Sequence, residues 1–395
     1  MPAGSSRNGG GAVIGGFGMV ASLGYDGATV CAAARAGLVR PAVQPGFRIR
    51  SDVEGDEEPV IAHQATLLTR GFEGRARLIR LAQGALEDLR VRTPHIDWQA
   101  TPHRLYVALP DPARIDRGEA LMADAEARAS VAARLAQRQS SEPAGAAVPV
   151  AIADPIVRKA AMLARWPAEP VIAFASLASR TGALRAVQAA IADLTAGACG
   201  LAVILALDSL LDESTLHWLH SCGRLKCDGT PAGLQPGEAA VALALLGGGG
   251  NLPNGRSIRV GPVDFADEAR SFFAGTPPAG EGLAEVIGRA WPGPDDATPW
   301  ILPDQNGEYY RAADWGFALV RLRARSAAFA APVLWFPAAS VGDTGAAAPL
   351  VAACFAAQAW ERGYAPARAA LITACDDEAG RSALALLDTG SAGAS

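Results

Sequence analysis

Two short polar segments carry the side chains with the clearest potential for chemistry. Residues 179–182 read Ser-Arg-Thr-Gly and residues 342–345 read Gly-Asp-Thr-Gly, and each segment precedes an alanine-rich stretch with helical spacing. A hydroxyl at such a position can accept an acyl group when a neighbouring base removes its proton. Ser179 and Thr181 are therefore candidate nucleophiles, whereas Arg180 and Asp343 carry opposite charges that can pair.

Histidine, the side chain best suited to activate such a nucleophile, is confined to the first 220 residues. Imidazole is the side chain that most often acts as a general base near neutral pH. All the histidines lie at or before position 220: His63, His95, His103, His217 and His220. A hydroxyl nucleophile at 179 or 181 could therefore take a histidine base only from residues 1–220.

No other group of residues has the spacing of a metal or cofactor site. His217 and His220 stand near Cys222 and Cys227, but the spacing matches neither a CxxC nor an HExxH pattern. The acidic run at 376–378 could bind a cation, but a solvated turn is the favoured interpretation. The sequence thus indicates no cofactor and no metal.

Both polar segments belong to a unit that occurs twice. The first copy has a tight turn at 179–182, a helix at about 182–194 that is apolar on nearly every face, and a buried strand at 201–207. In the second copy, residues 343–346 correspond to 180–183 and are followed by a helix, a loop and a strand at 369–373. A period of about half the chain predicts two homologous halves.

This organisation resembles the thiolase fold, and in detail its β-ketoacyl synthase (ketosynthase) branch. Residues 13–24 resemble the opening strand and turn of a ketosynthase, 219–246 the segment after its nucleophile helix, and 337–345 the segment with its Gly-His pair. The resemblance implies an α/β protein with two pseudo-symmetric α/β/α/β/α halves in a five-layered arrangement. It also implies a first half at 13–236 and a second half at 237–387, with flexible tails at 1–12 and 388–395. The first half includes a family-specific elaboration at about 111–166.

The same resemblance implies that the catalytic residues have been lost. Ketosynthases use a cysteine at the N-terminus of the first-half helix and two histidines from the second half. The corresponding vestigial positions here hold Arg180, Asn306 and Asp343, which leaves Ser179 and Thr181 as fallback nucleophiles. We predict that Arg180 and Asp343 form an ion pair; the alternative is that Arg180 points to solvent and Asp343 only caps its helix.

Two functions of different classes follow from the resemblance. The first is a non-catalytic interaction or accessory protein, whose partner would be an active condensing enzyme or a type VI secretion effector or adaptor. The second is a divergent acyl-transferring enzyme that uses Ser179 or Thr181. Ketosynthases pair along the strand beside the nucleophile turn, so the resemblance also implies a homodimer formed near residues 171–174.

Composition argues against several other partners. The 395 residues carry a net charge of −5, which provides no basic surface for nucleic acid or an anionic membrane. No apolar run approaches the roughly 18 residues needed to span a bilayer. Six scattered cysteines and the lack of an apolar segment at the N-terminus predict free thiols and a cytoplasmic protein.

The remaining pattern predicts the elements that position these residues. Helices are predicted at 29–36, 73–89, 118–137, 156–166, 265–273, 282–291 and 315–322. Strands are predicted at 105–109, 238–246, 300–302, 333–336 and 382–387, and residues 40–60 are predicted to form a loop.

Overall fold

A computed structural model describes residues 11–50, 57–116, 147–248, 255–294 and 297–391. The helices are α1 (Gly27–Arg35), α2 (Thr66–Thr69), α3 (Gly74–Arg92), α4 (Ala147–Leu163), α5 (Ser179–Thr195), α6 (Glu213–Ser221), α7 (Glu281–Ala290), α8 (Tyr309–Arg325), α9 (Ala338–Val341) and α10 (Ala348–Glu361). The strands are β1 (Val13–Ala21), β2 (Ala42–Arg50), β3 (Glu57–Ala62), β4 (His103–Ala108), β5 (Ile172–Ser176), β6 (Leu201–Ser209), β7 (Glu238–Leu246), β8 (Arg256–Asp267), β9 (Trp300–Leu302), β10 (Val333–Leu334), β11 (Ala369–Cys375) and β12 (Gly380–Ser391).

The order of the strands repeats. Ten strands form one sheet in the order β10-β9-β11-β12-β8-β1-β7-β6-β4-β5, while β2 and β3 form a separate hairpin. Read outwards from the centre, each half follows the same scheme: its first strand, then its fifth, fourth, second and third. The pairing directions also agree, since β4 runs parallel to β5 and β6 as β9 runs parallel to β10 and β11. The repeat in the sequence is therefore a repeat in topology.

The two half-sheets meet at the N-terminal end of β1. Val13 pairs with Arg259, and the N–H of Val260 donates to the carbonyl of Ala12. By strand order β7 completes the first half. The change from one half to the other therefore falls between Leu246 and Arg256, later than the predicted position at residue 237.

Helices cover both faces of each half-sheet and produce five layers. α5 and α10 lie between the half-sheets in one large core, which is why both helices are apolar and small-residue-rich on most of their surface. α3 and α4 cover the outer face of the first half-sheet, and α7 and α8 cover that of the second. The α/β/α/β/α arrangement predicted from the sequence is confirmed.

Some element predictions were wrong. Residues 42–50 and 57–62 form the β2–β3 hairpin instead of a loop, and 265–267 extend β8 where a helix was predicted. The predicted flexible tail at 388–395 is incorrect up to Ser391, because β12 pairs with β8 to that residue. In each case cross-strand pairing stabilised a segment whose local composition favoured something else. The predicted helix at 118–137 and residues 1–10 of the predicted tail lie outside the described residues.

Candidate functional site

The two polar segments singled out in the sequence meet between the halves. Arg180 lies in the first turn of α5, and Asp343 precedes the short turn that leads into α10. Arg180 Nη2 lies 2.6 Å from Asp343 Oδ1, and the two residues are only 4% and 2% exposed. The predicted ion pair is present, so the alternative in which Arg180 points to solvent is wrong. Asp343 also caps, since its Oδ1 accepts the N–H of Gly345 at 2.9 Å.

Asn306 joins this pair to a second group of charges. Its amide nitrogen donates to Asp343 Oδ2 and to Glu308 Oε2, both at 2.7 Å. Glu308 in turn accepts two hydrogen bonds from Arg224, at 2.7 and 3.0 Å. Asn306 in the loop at 304–307 therefore supplies a neutral connector to the network.

One further arginine, Arg311, and two further carboxylates, Asp377 and Asp304, complete the network. Asp377 binds Arg224 at 2.8 Å and Arg311 at 2.6 Å, and Arg311 also lies 3.3 Å from Asp304. Three arginines thus face four carboxylates, and the side chains other than that of Asp377 are nearly all buried. Buried charges are tolerated only when they are paired, and this network pairs Arg180 and Arg224 of the first half with carboxylates of the second.

The sequence predicted a solvated turn at 376–378, and this is wrong for Asp376 and Asp377, whereas Glu378 is exposed. Asp377 belongs to the network just described, and Asp376 accepts both the backbone N–H (3.1 Å) and the hydroxyl of Thr181. Thr181 is 1% exposed. The fallback nucleophile Thr181 is therefore buried, and its hydroxyl is hydrogen-bonded to the Asp376 carboxyl group.

The pKa values of Asp343, Asp376 and Asp377 depend on how strongly nearby arginines offset the effect of burial. Burial opposes ionisation of Asp343 and Asp377, but the neighbouring arginines outweigh it and hold both pKa values below the ordinary range. Burial raises the pKa of Asp376 to about 6, because its hydrogen bonds with Thr181 only partly compensate. Of these three carboxyl groups, Asp376 therefore titrates closest to neutral pH.

A cavity of about 380 Å³ lies beside the ion pair. One wall is apolar, with Leu177, Leu210 and Trp218, and the other carries Arg180, Asp208 and the acidic run. Ser179 lines this cavity with a backbone φ of +44°, an uncommon value for a residue other than glycine. Among the described residues that line it there is neither a cysteine nor a histidine.

Comparison with known proteins identifies the architecture. No protein-family model matches the sequence, and a search of curated proteins found no match. A chain of AntDE:AntF, a type II polyketide acyl-carrier protein in complex with its ketosynthase, covers 97% of this chain and 100% of its own at 12% identity, with a TM-score of 0.67. The ketosynthase ApeO in complex with its chain length factor ApeC, from Xenorhabdus doucetiae, aligns over 98% and 100% at 14% identity (TM-score 0.63), and the ishigamide ketosynthase/chain length factor over 96% and 100% at 16% (0.59).

The chain has the thiolase-like fold of ketosynthases and chain length factors. At sequence identities of 12–16%, the structural similarity establishes the fold alone. In the parts of the chain that the structure describes, no helix is both long and apolar enough to cross a membrane.

Sequence reasoning missed one imidazole of this thiolase-like protein. His63 comes from the first half, yet its ring packs against Gly342, next to Asp343. Its Nε2 lies 3.3 Å from Gln235 and its Nδ1 3.5 Å from Ser22, and burial lowers its pKa. His63 is absent from the cavity wall, so it supports the loop before Asp343 as a neutral ring. The position of His63 beside Gly342 depends on a contact between residues far apart in sequence, so the sequence alone could not predict it.

The network also contains residues without a recognisable sequence signal. Arg224, Arg311 and Glu308 were not among the predicted site residues, although Arg224 lies in the 219–246 segment that resembles a ketosynthase. The histidines weighed for a metal lie elsewhere: His217 is exposed and pairs with Glu213 at 3.7 Å. Within the described residues no group of three or more His, Cys, Asp or Glu side chains could hold a metal ion.

Proposed function

We propose that this protein is a non-catalytic ketosynthase-like subunit that acts through a protein partner. The observation that carries the proposal is the Arg180–Asp343 pair, which occupies the junction of the halves beside a cavity whose described lining has neither thiol nor imidazole. Condensation through a thioester needs a nucleophile that can be ionised and a group that moves protons. A guanidinium supplies neither, because it keeps its proton at any physiological pH.

The partner that best fits this proposal is another thiolase-fold chain. Two of the structural neighbours are ketosynthases in complex with an acyl-carrier protein or a chain length factor, and these assemblies favour a condensing-enzyme partner over a type VI secretion effector. Among the described strands β5 lies at one edge of the sheet, and Val171, which directly precedes it, is 56% exposed. An open strand edge offers unpaired N–H and C=O groups to a second chain.

We expect the chain alone to form a homodimer through β5. Val171→Asp places a carboxylate at this edge and should convert the dimer to a folded monomer, because a charge buried in an interface without a partner is costly. Val91→Asp is the matched control, since Val91 is a similarly exposed valine on α3. Light scattering after gel filtration measures the mass. A monomeric wild-type protein at micromolar concentration would contradict the homodimer.

A second function, acyl transfer through Ser179, is favoured by one observation. Ser179 combines a strained φ with a hydroxyl that has no hydrogen-bond partner in the described part of the chain, and it lines the cavity. Strained residues are common at reactive sites. Thr181 fits this role less well, because its hydroxyl is buried and donates to Asp376.

Incubation with acetyl-, malonyl- and octanoyl-CoA, followed by intact-mass measurement, separates the two functions. We expect no covalent adduct and no decarboxylation of malonyl-CoA. An acyl adduct that disappears in Ser179→Ala would instead establish the acyl-transferring enzyme and reject the non-catalytic proposal. An active ketosynthase treated in parallel shows that the donors are competent.

A further inference from the structure

Two open grooves flank helix α1. One of them borders the segment after β10, the strand at the opposite edge of the sheet from β5. The first, of about 430 Å³, lies between α1 and the segment after β10, with Cys31, Phe355 and Phe336 among its lining residues. The second, of about 510 Å³, lies between α1 and the C-terminal end of α10 and is lined in part by Arg362. Arg35 lines both grooves. We refer to these two surfaces together as the α1 grooves.

Arg35 is held on the ridge between the two grooves by aromatic stacking. Its guanidinium carbon lies 3.7 Å from the ring centroid of Tyr364, within the range of a cation–π interaction. Tyr364 stacks in turn on Trp335, with centroids 6.1 Å apart and an interplanar angle of 20°. The stack presents a positioned cation beside an apolar recess, and Phe336 at that recess is 42% exposed.

The α1 grooves are cationic on a chain whose net charge is −5. No carboxylate is among the described residues that line either groove, and neither Arg35 nor Arg362 has an ion pair in the described part of the chain. Two nearby acidic residues have partners of their own: Asp26, the N-cap residue of α1, accepts the N–H of Thr29, and Glu361, which directly precedes Arg362, pairs with Arg92 at 3.3 Å. Arg35, which Tyr364 holds in place, and the exposed Arg362 are therefore not paired with a carboxylate in the described part of the chain.

We propose that the α1 grooves bind an acidic amphipathic segment of a partner protein. An apolar side chain of that segment enters the recess beside Phe336 and Phe355, and its carboxylates pair with Arg35 and Arg362. Charge complementarity selects this occupant, because opposite potentials across an interface fix both specificity and register. The proposal goes beyond the function proposed above and does not depend on it, since β10 and β5 lie at opposite ends of the strand order.

A random peptide library displayed on phage tests this, with the full-length protein as bait. We expect enriched sequences to contain Asp or Glu next to Leu, Phe or Trp. A synthetic peptide of the consensus should lose about tenfold or more in affinity with Arg35→Glu/Arg362→Glu, and it should weaken as ionic strength rises from about 0.05 to about 0.5 M. Arg75→Glu, an exposed arginine of α3, is the matched control and should leave binding unchanged.

A second variant tests the apolar recess without altering charge. Ser340 lines the first groove, and Ser340→Trp should fill it and abolish peptide binding. Thermal unfolding of each variant establishes that it is folded before its affinity is compared. The proposal is overturned if no sequence is enriched, if the enriched peptides lack acidic residues, or if they bind the folded variants as tightly as the wild type.

Discussion

Replacing Asp343 with alanine is expected to lower the free energy of unfolding by about 3–5 kcal/mol. The substitution leaves Arg180 charged and almost fully buried, and breaking a buried ion pair by removing one partner costs about that much. It also removes the acceptor of the Gly345 N–H and of Asn306. Urea denaturation monitored by circular dichroism measures the change, provided that the slope of the transition is unchanged.

Two further variants separate charge from hydrogen bonding at this position. Asp343→Asn keeps an acceptor for Gly345 and should therefore cost less than the alanine. Arg180→Met in the Asp343→Asn background removes the buried charge that has lost its closest partner and should recover most of the loss. Asp154→Ala breaks an exposed pair with Arg158 and should cost less than about 1 kcal/mol. An Asp343→Ala loss as small as that control would show that the pair does not stabilise the junction.

Replacing Asp376 with asparagine is expected to change how stability depends on pH. The pKa of Asp376 is about 6 in the folded protein, against about 3.9 in an unfolded chain. The folded state therefore binds this proton more tightly. The stabilisation that comes from protonated Asp376 is fully present below about pH 4 and is lost as the pH rises through about 6. Asparagine resembles the protonated acid and does not titrate, so the variant lacks this loss.

The measurement is the free energy of unfolding of both proteins at several pH values from 4 to 7.5. The full shift corresponds to about 3 kcal/mol; Asp376 is partly exposed, so we expect the variant to gain about 2 kcal/mol on the wild type across this range. The pKa of Asp88 is also raised to about 6, but Asp88 is present in both proteins and cancels in the difference. A pH-independent difference would mean that Asp376 titrates normally.

Much of the fold could be predicted from the sequence because its strongest signals are local. The uninterrupted apolar pattern of α5 and of β6 appears in the order of the residues, and the second copy of that pattern fixes a doubled architecture. The β2–β3 hairpin and the end of β12 escaped prediction. Their proline, glycine and charged residues are compatible with a loop, and only pairing with a distant strand selects an extended conformation.

The sequence by itself determined which reactive groups are available: no histidine follows position 220, and Arg180 and Asp343 occupy matching places in the two copies. Only the tertiary structure decided the environment of those groups. Arg224, Arg311 and Asp377 are typical surface residues by type, and nothing in their neighbourhood along the chain indicates burial. They become a buried network because the two halves bring opposite charges into contact, and the energy of that contact depends on distances between residues far apart in sequence.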